Sequence, residues 1–279
     1  MSIMFPFVTP ASVATALDDL TLVVPCHNEA RRLKTDRFIA FLDATPRAHI
    51  LFVNDGSSDD TLLILEALRQ ARPARISVLD MPRNGGKAEA VRAGIGRAIE
   101  DGAELVAYWD ADLASPLELV EDFLRIADRD AELDVIFGSR RRMLGHRVAR
   151  TLTRRIVSRI CAGLARLAIG LPVADTQCGA KLFRVTPALR AATGTPFTAG
   201  WLFDVELFAR LSSLGGTRGF YELPLSEWTE IPGSKVSGGD IIRSGLRMLR
   251  LIAEMRLGGG RPLPVLPPRM VTTDYREAA

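Results

Sequence analysis

Two acidic residues follow an apolar run near the middle of the chain, in the sequence Asp110-Ala111-Asp112. The run before them, Leu105 to Trp109, has the composition of a buried strand, so both carboxylates are expected at a strand end. Magnesium and manganese prefer oxygen ligands, and an acid pair there suits a divalent metal that bridges a diphosphate. Asp-x-Asp pairs are common on surfaces and at helix caps, so the position after a strand is what favours the metal.

Asp55 begins a second polar segment, Asp55-Gly56-Ser57-Ser58-Asp59. Asp59 is suited to cap the helix that follows, and the glycine and serines are typical of a turn. Capping does not account for Asp55, whose carboxylate could accept a hydrogen bond from a nucleobase N–H group. The segment therefore predicts a turn that carries a candidate nucleobase contact.

A glycine pair and a lysine end a third segment, Arg83-Asn84-Gly85-Gly86-Lys87. Backbone N–H groups and a cation at a helix start would bind a phosphate, although a simple glycine turn explains the glycines equally well. The chain has no G-x-x-x-x-G-K-S/T sequence and no G-x-G-x-x-G after its first predicted strand. These absences argue against a P-loop NTPase and a Rossmann dehydrogenase, so a nucleotide site must be of another type.

A scaffold that brings these segments together is visible in the apolar pattern. Short apolar runs alternate with amphipathic stretches, as in repeated βα units, which predicts an α/β fold with a mostly parallel sheet. Ligands of such open sheets bind beyond the carboxyl ends of the strands, where the polar segments lie, including Cys26-His27-Asn28-Glu29 after the first strand. The predicted strands are 20–25, 50–54, 76–80, 105–109 and 134–138, and the predicted helices are 29–43, 59–71 and 87–101.

The composition is that of a globular protein. The chain has 279 residues, of which 47% are hydrophobic and 25% charged, with a net charge of +3. These values exclude a disordered chain and a disulfide-stapled miniprotein and do not by themselves imply a polyanionic partner. Three widely separated cysteines without zinc-site spacing fit a reducing cytosol. The sequence contains no convincing signal peptide and no apolar run of about 20 residues that could span a membrane.

Two arginine-rich stretches follow the βα units, at residues 140–171 and 240–257. The first contains no acidic residue, and both have apolar residues at helical spacing. A packed helix with a solvated arginine face explains such stretches in general, and attachment to an anionic membrane surface is the alternative. Aromatic residues are only 6% and no nucleic-acid-binding motif is present, so we expect no nucleic-acid partner. On the second stretch Ile242, Leu246, Leu249 and Ala253 share one helical face, with Arg243, Arg247 and Arg250 on the adjacent face.

Taken together, the polar segments resemble the successive signatures of family 2 inverting glycosyltransferases, which have the GT-A fold. The segments occur in the order and at the spacing of that family. Further segments resemble its dolichyl-phosphate glucosyltransferase branch, so that the likeness covers most of the chain. The family segments are 24–29, 53–61, 83–94 and 109–112, and those of the branch are 175–183, 201–206 and 228–236.

The resemblance implies a UDP-sugar donor at the carboxyl edge of the sheet. It assigns the uracil and ribose to Pro25, Glu29 and Asp55, with Asn28 in the same donor-binding group. It assigns the neighbourhood of the diphosphate to Lys87.

The resemblance also implies a site for Mg2+ or Mn2+. Asp110 would lie on the sugar and ribose side and Asp112 at the metal, and both are candidate metal ligands. In the related dolichyl-phosphate mannose synthases a glutamine two residues after the second acid joins the metal shell. This chain has Ala114 at that position, which departs from the pattern.

A polyprenyl phosphate is the acceptor that the resemblance implies. Arg140, Arg154 and Ser158 match positions that gather the acceptor phosphate in the mannose synthases. Gln177 and Lys181, on a predicted turn before an apolar strand, are further acceptor candidates. A phosphate monoester is already anionic at neutral pH, so cations and a metal that hold two phosphate groups in line suffice without a base. Arg140 and Asp112 are accordingly candidate catalytic residues.

Three functions remain open from the sequence. The favoured one is inverting transfer of glucose from UDP-glucose to a polyprenyl or dolichyl phosphate, which gives a β-linked product. The second uses a saccharide or other hydroxyl acceptor, with Asp204 as the base, unless Asp204 and Glu206 are only acids at a helix start. The third is a nucleotide-sugar-binding protein without turnover, suggested by Ala114.

We predict an N-terminal extension at residues 1–19, a GT-A domain at 20–257 and a Gly/Pro-rich tail at 258–279. Residues 140–171 and 240–257 would be its basic, interfacial parts. The expected location is the cytoplasm, with peripheral attachment to the cytoplasmic face of a membrane. The sequence does not indicate an oligomeric state.

Overall fold

The computed structural model describes residues 20–140 except 47, residues 172–215, 219–225 and 238–257, and the short pieces 147–148, 162–163, 166–168, 170 and 227–228. The strands are β1 (Leu20–Cys26), β2 (Ala48–Asp55), β3 (Ile76–Met81), β4 (Leu105–Trp109), β5 (Val135–Ser139), β6 (Arg147–Val148), β7 (Ala180–Arg184), β8 (Phe220–Pro224) and β9 (Glu227–Trp228). The helices are α1 (Thr35–Ala44), α2 (Thr61–Ala71), α3 (Lys87–Glu100), α4 (Leu119–Arg129), α5 (Pro187–Thr193), α6 (Phe203–Gly215) and α7 (Gly238–Leu257), with a 3-10 turn at Gly200–Leu202.

The main sheet has the strand order β3-β2-β1-β4-β7-β5-β8. Its pairs are parallel except those of β7, which runs antiparallel between β4 and β5 and places Lys181 opposite Tyr108. Strands β6 and β9 form a separate parallel pair. The predicted α/β fold with a mostly parallel sheet is confirmed, and all five predicted strands are present with bounds shifted by at most two residues.

The first predicted helix begins later than expected, at Thr35 rather than Glu29. Asn28 has a left-handed backbone with φ of 53°, which turns the chain away from a helical path. The N–H group of Glu29 then donates to Thr61 Oγ1 at 2.8 Å instead of joining a helix. The residues after β1 are therefore held as a loop at the sheet edge.

Helices cover both faces of the sheet. On one face α1, α2 and α4 pack through apolar residues such as Phe38, Leu65 and Phe123. On the other face α3, α5, α6 and α7 do the same. Helix α3 lies close to β1 because Gly94 has no side chain, and a Cβ there would lie 2.3 Å from Val23 Cγ1. This close packing fixes the start of α3, with Lys87, at the carboxyl edge of the sheet.

Helix α7 covers the predicted second basic stretch and starts two residues earlier. It docks through Ser244, Met248 and Ile252, which are buried. Leu246 and Leu249 are instead 64% and 48% exposed, so the predicted apolar face is on the surface rather than against the core. No helix in the described ranges is long and apolar enough to cross a membrane.

Candidate active site

The loop after β1 holds the loop after β2 through Asn28. The Asn28 N–H group donates to Ser57 Oγ at 3.1 Å, and its side-chain Oδ1 accepts from the Ser58 N–H group at 2.8 Å. Asp59 accepts from the N–H group of Thr61 at 3.0 Å, as expected of a residue at the start of α2. Asn28 was expected to contact the donor, and in the structure its side chain shapes the turn around Asp55.

Asp55 joins the loops after β2 and β3. Its buried carboxylate accepts from the Gly85 N–H group at 2.6 Å, which leaves the second carboxylate oxygen for another donor. The backbone oxygen of Asp55 lies 2.8 Å from Nδ1 of His27, in the loop after β1. Gly56 permits the close approach of the loops after β2 and β3, because its φ is +55° and a Cβ would lie 2.4 Å from the Asn84 nitrogen. Three of the four predicted polar segments therefore meet at Asp55.

Pro25 and Glu29 flank this junction. Pro25 is partly buried in β1 and pairs with Val53 of β2. Glu29 is buried, and its Oε1 forms an ion pair with Arg32 at 2.6 Å. Both predicted donor residues thus lie at the carboxyl edge beside Asp55.

Lys87 and Asp110 form an ion pair at the same edge. Lys87 Nζ lies 2.5 Å from Asp110 Oδ1, and the side chains are 42% and 32% exposed. Burial pushes the pKa of Asp110 upward, but the charge and hydrogen bond of Lys87 outweigh it and leave the pKa below its usual value. Burial likewise lowers the pKa of Lys87, and the carboxylates of Asp110 and Asp204 more than restore it, so the pKa lies above its usual value. The pair is fully charged at neutral pH and open to solvent.

Asp112 lies at the turn after Asp110. Leu113 has a φ of +53°, uncommon for a leucine, and this conformation lets the Asp112 carboxylate accept from the Ala114 N–H group at 3.0 Å. Burial, and next the negative charge of Asp110, raise the pKa of Asp112. A cation bound between the two carboxylates would remove this repulsion.

The two carboxylates fit a metal that is shared with a substrate. Among the described residues, no group of three or more His, Cys, Asp or Glu side chains is arranged to hold a metal ion alone. Magnesium is commonly bound by one or two carboxylates together with substrate phosphates, so Asp110 and Asp112 suffice if a diphosphate supplies the other oxygens. Ala114 contributes a backbone N–H group to this site and no side-chain ligand.

Lys181 and Asp204 form a second lysine–aspartate pair, in the interior. Lys181 Nζ lies 3.0 Å from Asp204 Oδ1, and their side chains are 0% and 5% exposed. The hydroxyl group of Tyr108 contacts both, donating to Asp204 and accepting from Lys181 at 2.7 Å. Lys181 lies within β7 rather than on the predicted turn. The structure therefore does not bring Lys181 or Asp204 to a surface that an acceptor could reach.

Arg140, which was predicted to bind the acceptor, directly follows β5. Its Nε and Nη2 bind the two carboxylate oxygens of Asp175 at 2.7 and 2.8 Å, and its backbone N–H group binds Asp175 Oδ2 at 3.0 Å. Burial lowers the pKa of Arg140, but the charge of Asp175 outweighs it, so the pKa lies above its usual value. The guanidinium also stacks on Trp228, 5.3 Å from the ring centre. Arg140 is thus a fixed cation with part of its surface still open.

Gln177 stands beside Arg140, with its N–H group donating to Asp175 Oδ1 at 3.2 Å. Three buried polar atoms in this part of the described chain have no hydrogen-bond partner: Ser139 Oγ, Thr176 Oγ1 and Gln177 Nε2. Buried polar atoms are normally paired, so these three are exceptions within the described residues. Arg154 and Ser158, the other predicted acceptor residues, lie outside the described residues.

The sequence did not indicate the residues that hold Arg140, Gln177 and Asp110 in place. Asp175 organises Arg140 and Gln177, and Glu222 in turn accepts from the N–H groups of Ala174 and Asp175. Gly179 accepts the N–H group of Asp110. Both Asp175 and Gly179 lie in a segment that resembled the glucosyltransferase branch, and that resemblance was the available clue.

Comparison with known proteins decides the family. Residues 21–189 match the family described as glycosyl transferase family 2. The chain belongs to this family. The match covers more than half of the chain, and the prediction of a glycosyltransferase enzyme is confirmed.

Two relatives extend the similarity beyond the family match. A dolichyl-phosphate beta-glucosyltransferase of Trichomonas vaginalis is 30% identical over 270 residues, which cover 91% of this family 2 chain and 75% of the relative. The dolichyl-phosphate beta-glucosyltransferase of Drosophila melanogaster is 32% identical over 237 residues, covering 78% and 69% of the two chains.

Solved structures identify the fold. Glucosyl-3-phosphoglycerate synthase from Mycobacterium tuberculosis, in complex with Mn2+ and UDP-glucose, superposes with a TM-score of 0.61 at 18% identity over 86% of this chain and 79% of its own. The same enzyme with Mn2+, UDP and glucosyl-3-phosphoglycerate gives 0.59 at 17% identity, over 92% and 87%. The predicted GT-A fold of this family 2 chain is confirmed.

Proposed function

We propose that this family 2 glycosyltransferase moves glucose from UDP-glucose to a polyprenyl phosphate, with inversion at the sugar and with Mg2+ or Mn2+ as cofactor. One observation carries the proposal. Two cationic sites, Lys87 beside Asp110 and Arg140 beside Asp175, lie at the carboxyl edge of the same sheet, so one can serve a diphosphate and the other a monophosphate. The names of the relatives, which are dolichyl-phosphate beta-glucosyltransferases, support glucose as the transferred sugar and a polyprenyl phosphate as the acceptor.

The donor side would bind UDP through the junction of three loops. The free carboxylate oxygen of Asp55 suits the N3–H group of uracil, with Pro25 and Glu29 beside the nucleoside. Lys87 is exposed enough to leave Asp110 and bind the diphosphate. Asp110 and Asp112 would hold the divalent cation, which neutralises charge on the departing diphosphate.

On the acceptor side the nucleophile is a phosphate oxygen. It attacks the anomeric carbon of glucose from the face opposite UDP, the bond to the UDP oxygen breaks, and UDP leaves with the electron pair. No proton has to be removed from a phosphate that is already ionised, so a base is not needed. The burial of Asp204 against Lys181 supports this acceptor over a hydroxyl acceptor, for which Asp204 would have to be the base.

The membrane attachment proposed for this enzyme rests on helix α7. Leu246 and Leu249 are exposed in the same stretch as the exposed residues Arg243, Arg247 and Arg250. Apolar and arginine side chains on one surface suit the headgroup region of an anionic bilayer, where a polyprenyl phosphate resides. We propose that the protein is cytoplasmic and peripherally bound to the cytoplasmic face of a membrane.

UDP release tests the proposal. Purified protein with UDP-glucose and Mn2+ should release UDP when a short-chain polyprenyl phosphate is added, and little without it. NMR of the product should show the β-anomer. Release with the polyprenyl alcohol or a soluble saccharide instead would establish the hydroxyl-acceptor function. Binding of UDP-glucose without release under any condition would establish a binding protein without turnover.

A further inference from the structure

We propose that residues 175–179, here called the 175–179 loop, position both the donor aspartate and the acceptor arginine, each through one end of the loop. This inference rests on the proposed function, because it assumes a diphosphate at Asp110 and a phosphate at Arg140. Asp175 at one end of the loop holds Arg140, and Gly179 at the other end holds Asp110. The two groups are therefore fixed by one turn of five residues.

The Asp175 end of the loop is held by charged hydrogen bonds. Its carboxylate receives three from Arg140 and one from the backbone of Gln177. The backbone N–H group of Asp175 donates to Glu222 Oε1 at 2.9 Å, which ties this end to β8. Bidentate contacts of an arginine with a carboxylate fix the plane of the guanidinium as well as its distance. The open edge of Arg140 is therefore aimed by Asp175.

At the Gly179 end, the lack of a side chain allows the close approach of Asp110. The Gly179 carbonyl accepts the N–H group of Asp110 at 3.0 Å, which extends the pairing of β4 with β7 by one step. A Cβ on Gly179 would lie 1.9 Å from Asp110 Oδ2 and 2.2 Å from its Cγ. The Asp110 carboxylate therefore occupies the space that any other residue at position 179 would fill.

Between its two ends the loop is buried and anchored. Thr176 and Cys178 are inaccessible, and Cys178 Sγ contacts Ser115 Oγ at 3.6 Å. The Cys178 carbonyl accepts from the buried ammonium of Lys181. Each end should therefore control its own substrate, and both should affect transfer.

Gly179→Ala tests the donor end. Isothermal titration calorimetry should measure UDP affinity with Mn2+ and with EDTA, and the ratio of the two reports the metal-dependent part of binding. We expect this ratio to fall at least tenfold in Gly179→Ala, because the Asp110 carboxylate must move, while the KM for short-chain polyprenyl phosphate stays within twofold. Gly96→Ala is the matched control, since a Cβ at Gly96 meets no atom within 4 Å.

Asp175→Asn tests the acceptor end. It keeps the size of the side chain but removes the charge that orients Arg140, so we expect the KM for polyprenyl phosphate to rise at least tenfold while the metal-dependent UDP ratio stays within twofold. Asp101→Asn is its control, because it removes a carboxylate from an exposed pair with Arg97 on α3. Thermal melting should verify that each variant is folded. If Asp175→Asn does not fold, Gly179→Ala decides alone, by whether its metal-dependent UDP affinity ratio falls while its KM for polyprenyl phosphate is unchanged.

Folded variants that both change the same parameter by similar factors, or change neither, would overturn the role of the loop. A wild-type protein whose UDP binding does not depend on Mn2+ and which transfers no glucose to polyprenyl phosphate would overturn the proposed function as well. The two failures are distinguishable, because the second appears in the wild type and the first only in the variants.

Discussion

Two lysine–aspartate pairs lie on the same face of the sheet and differ mainly in exposure. The Lys87–Asp110 pair is 42% and 32% exposed, and the Lys181–Asp204 pair is 0% and 5% exposed. The first joins a helix start to a strand end, where water and ligands reach it. The second lies in the interior, where the Tyr108 hydroxyl contacts both of its members. The comparison teaches that the same two residue types form a solvent-accessible ion pair in one place and a fully buried one in the other.

The largest expected difference between the two pairs is in the free energy of unfolding when their lysines are replaced. Lys181→Met leaves Asp204 buried without its cation, which costs about 3–5 kcal/mol in the free energy of unfolding. Lys87→Met breaks an exposed pair and should cost about 0–1 kcal/mol. Urea denaturation of both variants measures the difference. Equal losses would show that exposure does not distinguish the pairs.

At the exposed site, turnover rather than stability should respond most strongly to substitution. Asp112→Asn should lower kcat by about 10²–10³-fold while the protein stays folded, since it removes charge at the point where the diphosphate departs. Excess EDTA should have a similar effect on the wild type. The measurement is UDP release, with circular dichroism as the control for folding. Undiminished turnover of the variant, or of the wild type in EDTA, would contradict the metal site.

Asp55 is intermediate between the two pairs, because it is buried but has one carboxylate oxygen available to a ligand. Loss of a hydrogen bond to a charged group costs about 1.5–3 kcal/mol, so Asp55→Ala should weaken the binding of UDP by that amount. Binding of inorganic diphosphate should change much less, because it has no uracil. Calorimetry with both ligands makes the comparison. Equal weakening of UDP and diphosphate binding would contradict a contact between Asp55 and the nucleobase.

The smallest expected effect concerns the exposed arginines of α7. Arg250→Gln should weaken co-sedimentation with anionic liposomes by about 1 kcal/mol, and added salt should weaken it further. Arg97→Gln, which changes an exposed arginine on α3, serves as the control. Binding to neutral liposomes that equals binding to anionic ones would argue against an electrostatic membrane surface.

The sequence predicted that Asp55, Lys87 and Asp110 lie at one edge of the sheet, and the structure confirms that position for a physical reason. In parallel βα units the residues that follow a strand necessarily lie at the carboxyl edge, so Asp55, Lys87 and Asp110 could be brought together from their order alone. The antiparallel strand β7 does not follow this rule. Its pairing with β4 puts Lys181 beside Tyr108 in the interior, and pairing between distant segments is not visible in local pattern.

The packing of α7 could not be predicted for a related reason. Its residues Leu246 and Leu249 suited either a face packed on the sheet or an interfacial face, and they are exposed. Ser244 is buried instead, and its Oγ accepts from the Trp201 N–H group at 3.1 Å. A tertiary hydrogen bond and the packing of Met248 thus decide the orientation of the helix, and periodicity alone cannot weigh these contacts against exposed leucines.

Glucosyl transfer itself tests the central claim most directly. Purified protein should be incubated with UDP-glucose, Mn2+ and either a short-chain polyprenyl phosphate or the corresponding polyprenyl alcohol, and the lipid product analysed by mass spectrometry. The account predicts a hexosyl-phosphate lipid and stoichiometric UDP only with the phosphate. Transfer to the alcohol at the same rate, or no transfer to the phosphate while UDP-glucose binds, would contradict it.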